Sequence, residues 1–175
     1  LQGDREAMEL LVVNYQKGLF NYFLKNLSDR ELSAELTQEV FLKVFTKLKT
    51  YDFHFKFSTW VYSLAHNLLV DFFRKKKNLT FTSFSNKEDS SPDFPELNTV
   101  TREDTLIQEE TSEKVWNAVE SLPETYRELL IMRYVNELKY EEIAQILGIP
   151  MGTLKNKIFR AKQKLVETVG EHDKT

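Results

Sequence analysis

Tyr140-Glu141-Glu142-Ile143-Ala144-Gln145-Ile146-Leu147-Gly148-Ile149-Pro150, followed by Met151-Gly152-Thr153-Leu154, reads as a helix, a sharp turn and a second helix. Ala144 is small where two helices must cross closely. Gly148 stands where the turn demands a positive φ, which a residue without Cβ tolerates. Ile143, Leu147, Ile149 and Leu154 supply the shared core. At 100° per residue, Leu154, Ile158, Ala161 and Leu165 fall in one arc of the second helix, its buried face. Lys155, Asn156, Phe159 and Arg160 lie opposite, with Lys162 beside them. Residues 154–166 hold five basic side chains and no acidic one. A helix offering Lys, Asn and Arg from its first turns suits the major groove, whose base edges and phosphates those groups bond. Phe159 fits two readings, contact with a thymine methyl or deoxyribose, or packing on the first helix.

Outward from this lobe the pattern stays helical. Periodic apolar positions predict helices over about 3–27, 31–48, 58–76, 111–120, 123–134, 140–147 and 151–169, with Ser28-Asp29 as turn and cap and Pro123 in a first turn. No strand alternation or hairpin signal appears. Between the helical blocks, 78–111 is rich in Ser and Thr and contains Ser90-Ser91-Pro92-Asp93-Phe94-Pro95, which reads as a linker. The expectation is an all-α protein of two small helical domains, 1–77 and 112–175, joined by a flexible acidic linker at 78–111. Each lobe is small enough to be marginal alone, so a larger docking partner is expected. Charge follows the same division. Residues 1–77 hold 12 Lys/Arg against 9 Asp/Glu, the segment 78–113 holds 2 against 9, and 114–175 holds 10 against 9. The net charge of −3 therefore averages two mildly basic lobes and an acidic tether, and does not argue against nucleic acid.

The chain has 175 residues and no Cys, which excludes disulfides, thiol nucleophiles and Cys-based metal sites. Its three His are too scattered for a metal site, so no cofactor is expected. No apolar run reaches the roughly 18–20 residues of a membrane helix and no signal peptide is evident, so a cytoplasmic protein without membrane insertion is expected. The chain starts at Leu1, which leaves room for native residues upstream.

In the first block, residues 51–73 hold eight of the chain's 22 aromatics, interleaved with His54 and Lys56 and followed by Arg74-Lys75-Lys76-Lys77. Aromatics stack on unpaired bases while cations hold the backbone, so the mixture suits single-stranded nucleic acid; an aromatic core with a solvated basic helix end is the other reading. Val61, Leu64, Ala65, Leu68 and Phe72 form a core stripe. Trp60, Ser63, Asn67, Val70 and Arg74 are expected on the outward face. In the preceding helix, Leu36, Val40, Phe41, Val44, Phe45 and Leu48 form a buried face. Gln38, Glu39 and Leu42 cluster opposite, and an apolar Leu among polar neighbours suggests a protein-docking patch.

Together these pieces resemble bacterial sigma factors over about residues 3–168. Glu35-Leu36-Thr37-Gln38-Glu39-Val40-Phe41 is similar to their core-polymerase-binding motif. Phe57-Ser58-Thr59-Trp60-Val61-Tyr62 with Ala65-His66-Asn67 resembles their promoter-melting and minus-ten region. Leu122-Pro123-Glu124-Thr125-Tyr126-Arg127, the helix-turn-helix and Gly152-Thr153-Leu154-Lys155 resemble their minus-thirty-five reader. With no region three between the two, the resemblance is to the extracytoplasmic-function (ECF, group IV) sigma factors.

The resemblance implies a non-enzymatic transcription initiation factor. Glu35, Gln38, Glu39 and Leu42 would bind the β′ clamp helices of core RNA polymerase, with the C-terminal domain at the β flap. Asp52, Phe53, His54, Phe55, Lys56 and Phe57 would capture a flipped minus-ten base, with Trp60, Ser63, Asn67 and Arg74 along the same DNA. Pro150, Gly152, Thr153, Lys155, Asn156, Phe159, Arg160 and Lys162 would face the minus-thirty-five duplex. An anti-sigma factor is an expected partner beside promoter DNA. The acidic linker would lie in the polymerase active-centre and RNA-exit path, where its charge resembles a transcript's. Glu35 stands where Asp is usual, and Asn156 where a small Ser is frequent. A two-domain response regulator is the alternative, but needs an α/β receiver that 1–77 does not predict. An interaction protein that only sequesters polymerase would not need the basic helix. Enzymatic pairs are limited to Glu141-Glu142 and Ser63 with His66, neither with an orienting third group.

Overall fold

The computed structural model describes residues 2–80 and 109–172, with side chains from Glu6 to Lys77 and Glu113 to Gly170. Helices are the only regular elements among the described residues, with no strand among them. Helices α1 (Gln2–Leu27), α2 (Arg30–Lys47) and α3 (Phe57–Thr80) form the N-terminal lobe. Ser28 takes a left-handed φ of 54°, and Asp29 accepts a hydrogen bond from the Leu32 amide at 3.0 Å, capping α2. A short 3₁₀ turn, Leu48–Thr50, ends α2 and leads into the loop before α3.

The C-terminal lobe holds α4 (Glu109–Ser121), α5 (Glu124–Leu130), α6 (Tyr140–Leu147) and α7 (Met151–His172). Helix α5 continues into a π-helical turn, Ile131–Val135, whose wider spacing is closed by the Asn136 amide on Ile131 O at 3.0 Å. Glu142 caps α6 by accepting from the Lys139 amide at 2.8 Å. Gly148 ends α6 at φ 64°, and its amide and that of Ile149 close the turn on Gln145 O and Ala144 O. The expected helix-turn-helix is thus built as its spacing demands. Helices α3 and α4 extend a few residues into the expected 78–111 linker; most of that segment lies outside the described residues.

The two lobes are not held apart. Leu19, Tyr22 and Phe23 of α1 and Val61, Tyr62 and Leu69 of α3 share one buried core with Leu129, Ile131, Met132, Ile143 and Leu154 of the C-terminal lobe. Helix α6 lies against α3, and the π turn lies against α1. A second cluster (Val119, Leu122, Leu130, Ala161) belongs to the C-terminal lobe alone. Each lobe is short of core, as its size implies, and docking on the other supplies part of what is missing. In this structure each lobe also packs on the other, a contact the sequence reading did not expect.

Candidate nucleic-acid and protein interfaces

In α7 the packing reproduces the wheel. Leu154, Ile158 and Ala161 are buried and Leu165 is half-buried. Gly152, Thr153, Lys155, Asn156, Phe159 and Lys162 are exposed together, with Pro150 at the turn, while Arg160 is half-buried beside them. Phe159 is 59% exposed, so it is not part of the core that α6 and α7 share. Lys162 stands over the Tyr134 ring, 5.3 Å from its centroid.

In α2, Gln38, Glu39 and Glu35 are exposed on one face, and Leu42 is 63% exposed among them. Glu39 pairs with Lys43 at 3.4 Å, one turn on. Leu36, Val40, Phe41 and Val44 occupy the opposite, buried face.

The loop before α3 is folded back on itself. Asp52 accepts from the His54 amide at 3.0 Å and lies 2.6 Å from its Nδ1. The His54 amide, then its ring, hold the Asp52 carboxyl below its ordinary range. The Tyr51 hydroxyl donates to Phe55 O at 2.6 Å. Phe53 is 88% exposed and Phe55 half-exposed, an unusual cost in a soluble loop unless something covers them. The sequence expectation needs correction at two positions here. Phe57 is not in the loop: it opens α3, and its ring lies against Tyr15, Tyr51 and Trp60. Trp60, expected on the free outward face, is half-buried, with Tyr51 at 5.2 Å and Phe57 at 5.5 Å. A wheel sees only its own helix, whereas here the preceding loop returns to cover that face. Lys56 stays in the loop and exposed, and donates to Glu142 of the C-terminal lobe at 3.0 Å.

Farther along α3, Asn67 and Arg74 are exposed as expected, and Arg74 pairs with Asp71 at 2.9 Å. Ser63 is half-buried and its hydroxyl donates to Thr59 O at 2.8 Å. His66 turns instead to Glu128, so Ser63 and His66 do not pair as a catalytic couple would.

Sequence reasoning missed the polar groups between the lobes. Glu128 of α5 is buried, and its Oε1 accepts from the Tyr22 hydroxyl at 2.5 Å and lies 2.7 Å from His66 Nδ1. Burial, then the neighbouring Glu128, push the Tyr22 hydroxyl well above its ordinary range. Asn136 Nδ2 donates to Gly18 O at 3.0 Å and to the Tyr62 hydroxyl at 3.1 Å. Arg127 donates to Asn26 O at 2.9 Å, and also to Glu120 O and Leu122 O. At the rim, Lys77 pairs with Glu124 at 3.3 Å, and Lys25 stands 3.9 Å over the Trp116 ring. The one available signal was Glu128 running directly into the apolar stretch Leu129-Leu130-Ile131-Met132, where a lone carboxyl must find partners.

Among the described residues no helix is long and apolar enough to cross a membrane, and no group of acidic and His residues has the arrangement of a metal site.

Comparison with known proteins matches residues 11–79 to the family described as Sigma-70 region 2 and residues 112–165 to Sigma-70, region 4. The ECF RNA polymerase sigma-E factor of Escherichia coli (strain K12) is 30% identical over 169 residues, covering 94% of this chain and 87% of that one. The ECF RNA polymerase sigma factor SigW of Bacillus subtilis (strain 168) is 29% identical, covering 94% and 89%. The fold resembles that of the sigma factor RpoE of Bartonella quintana, solved in complex with the anti-sigma factor NepR. The TM-score is 0.70, with 18% identity, over 94% of this chain and 98% of that one. It also resembles CnrH, solved with the cytosolic domain of CnrY, at TM-score 0.69 and 16% identity, over 97% and 92%.

Proposed function

We infer the role from one premise: the chain belongs to the ECF RNA polymerase sigma factors, and it is a transcription initiation factor. The response-regulator alternative falls with that membership. The two matched segments, 11–79 and 112–165, leave no room for a further domain between them, which supports placement in group IV. The family's members are transcription factors rather than enzymes, and the role places this chain in the cytoplasm with core polymerase and promoter DNA. A neighbour in fold solved with an anti-sigma factor supports an anti-sigma partner here as well.

Within that role the site residues take these parts. The 1–77 domain binds core polymerase through Glu35, Gln38, Glu39 and Leu42 on the β′ clamp helices. Its exposed Phe53 and Phe55, with Asp52, His54 and Lys56, receive an unpaired minus-ten base, because aromatic faces and cations favour bases already out of the stack. Asn67 and Arg74 follow the adjacent DNA, and Trp60 stacks at the upstream edge once the loop moves off it. The 112–175 domain sits at the β flap and lays α7 in the minus-thirty-five major groove.

The observation that carries this reading is the acid-free stretch 154–166 of α7, where Lys155, Asn156 and Phe159 project side by side after a turn locked by Gly148. Core polymerase carrying Asn156→Ala should lose about 1–3 kcal/mol at one minus-thirty-five base pair and relax selectivity there. With Arg160→Ala, binding should weaken evenly across sequences and the salt slope should fall by about one. Binding to a promoter library at several salt concentrations separates the two. Unchanged selectivity in both variants, and in Lys155→Ala, would remove α7 as the reader.

A further inference from the structure

The loop between the 3₁₀ turn and α3 is held in one shape by its own bonds. The Phe55 amide donates to Asp52 O at 3.1 Å, and the Tyr51 hydroxyl donates to Phe55 O at 2.6 Å. The Tyr51 ring is itself fixed, with the rings of Phe53, Phe57 and Trp60 at 5.0 to 5.2 Å. Between Phe53 and Phe55 stands His54, with 92% of its side chain exposed.

Asp52 settles which nitrogen of that ring carries the hydrogen. Its Oδ1 accepts from the His54 amide at 3.0 Å and lies 2.6 Å from His54 Nδ1. The amide contact, then the ring contact, hold the carboxyl below its ordinary range, so it stays ionised and can only accept. Nδ1 therefore carries the hydrogen, and Nε2 of the neutral ring is left as a bare acceptor on the exposed side.

An acceptor in that place discriminates among unpaired bases. Adenine and cytosine carry an exocyclic amino group, a donor, where guanine and thymine carry a keto oxygen, an acceptor. Exocyclic groups protrude furthest from the base edge, so a side-chain tip meets them first. Phe53 and Phe55 stack on every base alike, and supply affinity without selection. A second proton on the imidazole turns Nε2 into a donor while Nδ1 keeps Asp52.

We propose that His54 reads the captured minus-ten base through Nε2, with Asp52 as its positioning residue: the neutral ring selects an amino base, adenine or cytosine, and the protonated ring a keto base. The proposal rests on the base-capturing role given to this loop above. Besides Asp52, the titratable and charged groups around the loop are Lys49 on the preceding turn, Tyr51, Lys56, Glu142 of α6 and Tyr15 of α1. Lys56 is paired with Glu142 at 3.0 Å, and burial raises the Tyr15 hydroxyl. Among the described residues only Asp52 bonds to the His54 ring. A change of charge on that ring therefore acts on the base rather than on a wider network.

Two measurements on the full chain test this. Nitrogen–proton correlation spectra of the free chain report the imidazole tautomer, with the His54 signals identified by their loss in His54→Gln. His54 should carry its hydrogen on Nδ1, and Asp52→Ala should move the neutral ring toward the Nε2–H form. In the second, core polymerase carrying the chain selects from single strands randomised over the minus-ten window, between about pH 5.5 and 8, the span in which imidazoles change charge. One position should be enriched in adenine or cytosine at the upper end. The ratio of amino to keto bases there should fall about threefold or more toward the lower end, the effect of one net hydrogen bond. His54→Gln should flatten that dependence, because an amide offers donor and acceptor alike. Asp52→Ala should weaken the selection at the upper end. Hydrogen on Nε2 in the parent chain would overturn the proposal. So would a base ratio that ignores pH, or one that changes with pH equally in His54→Gln. A complex that captures no single strand would overturn the base-capturing role and the proposal with it. Selective, pH-dependent capture by a complex that yields no transcripts would strike at the initiation role and leave His54 as the reader.

Discussion

Gly18 shows how much rests on single atoms where the lobes meet. A Cβ there would meet the Tyr62 hydroxyl at 2.7 Å, and the same glycine's carbonyl accepts from Asn136. Gly18→Ala gains helix propensity but forces the buried Tyr62 ring to shift from its place, and a clash of this kind costs about 1–3 kcal/mol. Gly170, near the end of α7, meets nothing, so Gly170→Ala should gain up to about 0.5–1 kcal/mol. Thermal melts of the two variants should therefore shift in opposite directions. Tyr62 gives a second residue-scale test. Burial pushes its hydroxyl up to about 12, against a hydrogen bond from Asn136 that works the other way. Tyr22 is raised as well. A raised pKa in the fold means that stability is fully present below the ordinary tyrosine value near 10 and is lost as pH climbs through about 12. Urea midpoints should fall steeply across that window, and Tyr62→Phe should flatten part of the slope. An identical slope in Tyr62→Phe would mean that Tyr62 does not carry it.

Among the elements, α2 divides most cleanly between structure and use. One face is core, and the other carries Gln38 and Glu39 with Leu42 left 63% exposed. Gln38→Ala with Leu42→Ala removes nothing from the core and should leave the melting temperature in place. It should nevertheless weaken core-polymerase affinity by about 1–3 kcal/mol, the size expected of an interface hot spot. Unaltered affinity would remove the patch from the polymerase interface. Elements were the scale at which the sequence was most readable. The seven helices, the Asp29 cap and the Gly148 turn all follow from local spacing and local backbone demands. The outer faces of α2 and α7 were equally legible, because each helix buries one arc and leaves the other to solvent. Trp60 was misplaced because its cover comes from Tyr51 and the returning loop, and no wheel contains a neighbouring loop.

At the scale of the whole molecule, the chain is two lobes closed on each other across one buried core. None of that closure was legible beforehand. Tyr22 and Glu128, or Gly18 and Asn136, are more than 100 residues apart in sequence. Each reads locally as an ordinary helix position, and only the docked structure shows them as partners. His66 likewise read as a helix face until Glu128 arrived from the other lobe. The central claim is that this chain gives core polymerase the ability to find and open promoters. It is tested most directly by probing promoter thymines with permanganate, using core polymerase with and without the chain, and reading run-off transcripts from the same templates. Thymines in a discrete minus-ten window should become reactive, and transcripts of defined length should appear, only when the chain is present. Equal reactivity and equal transcripts with core polymerase alone would contradict the account.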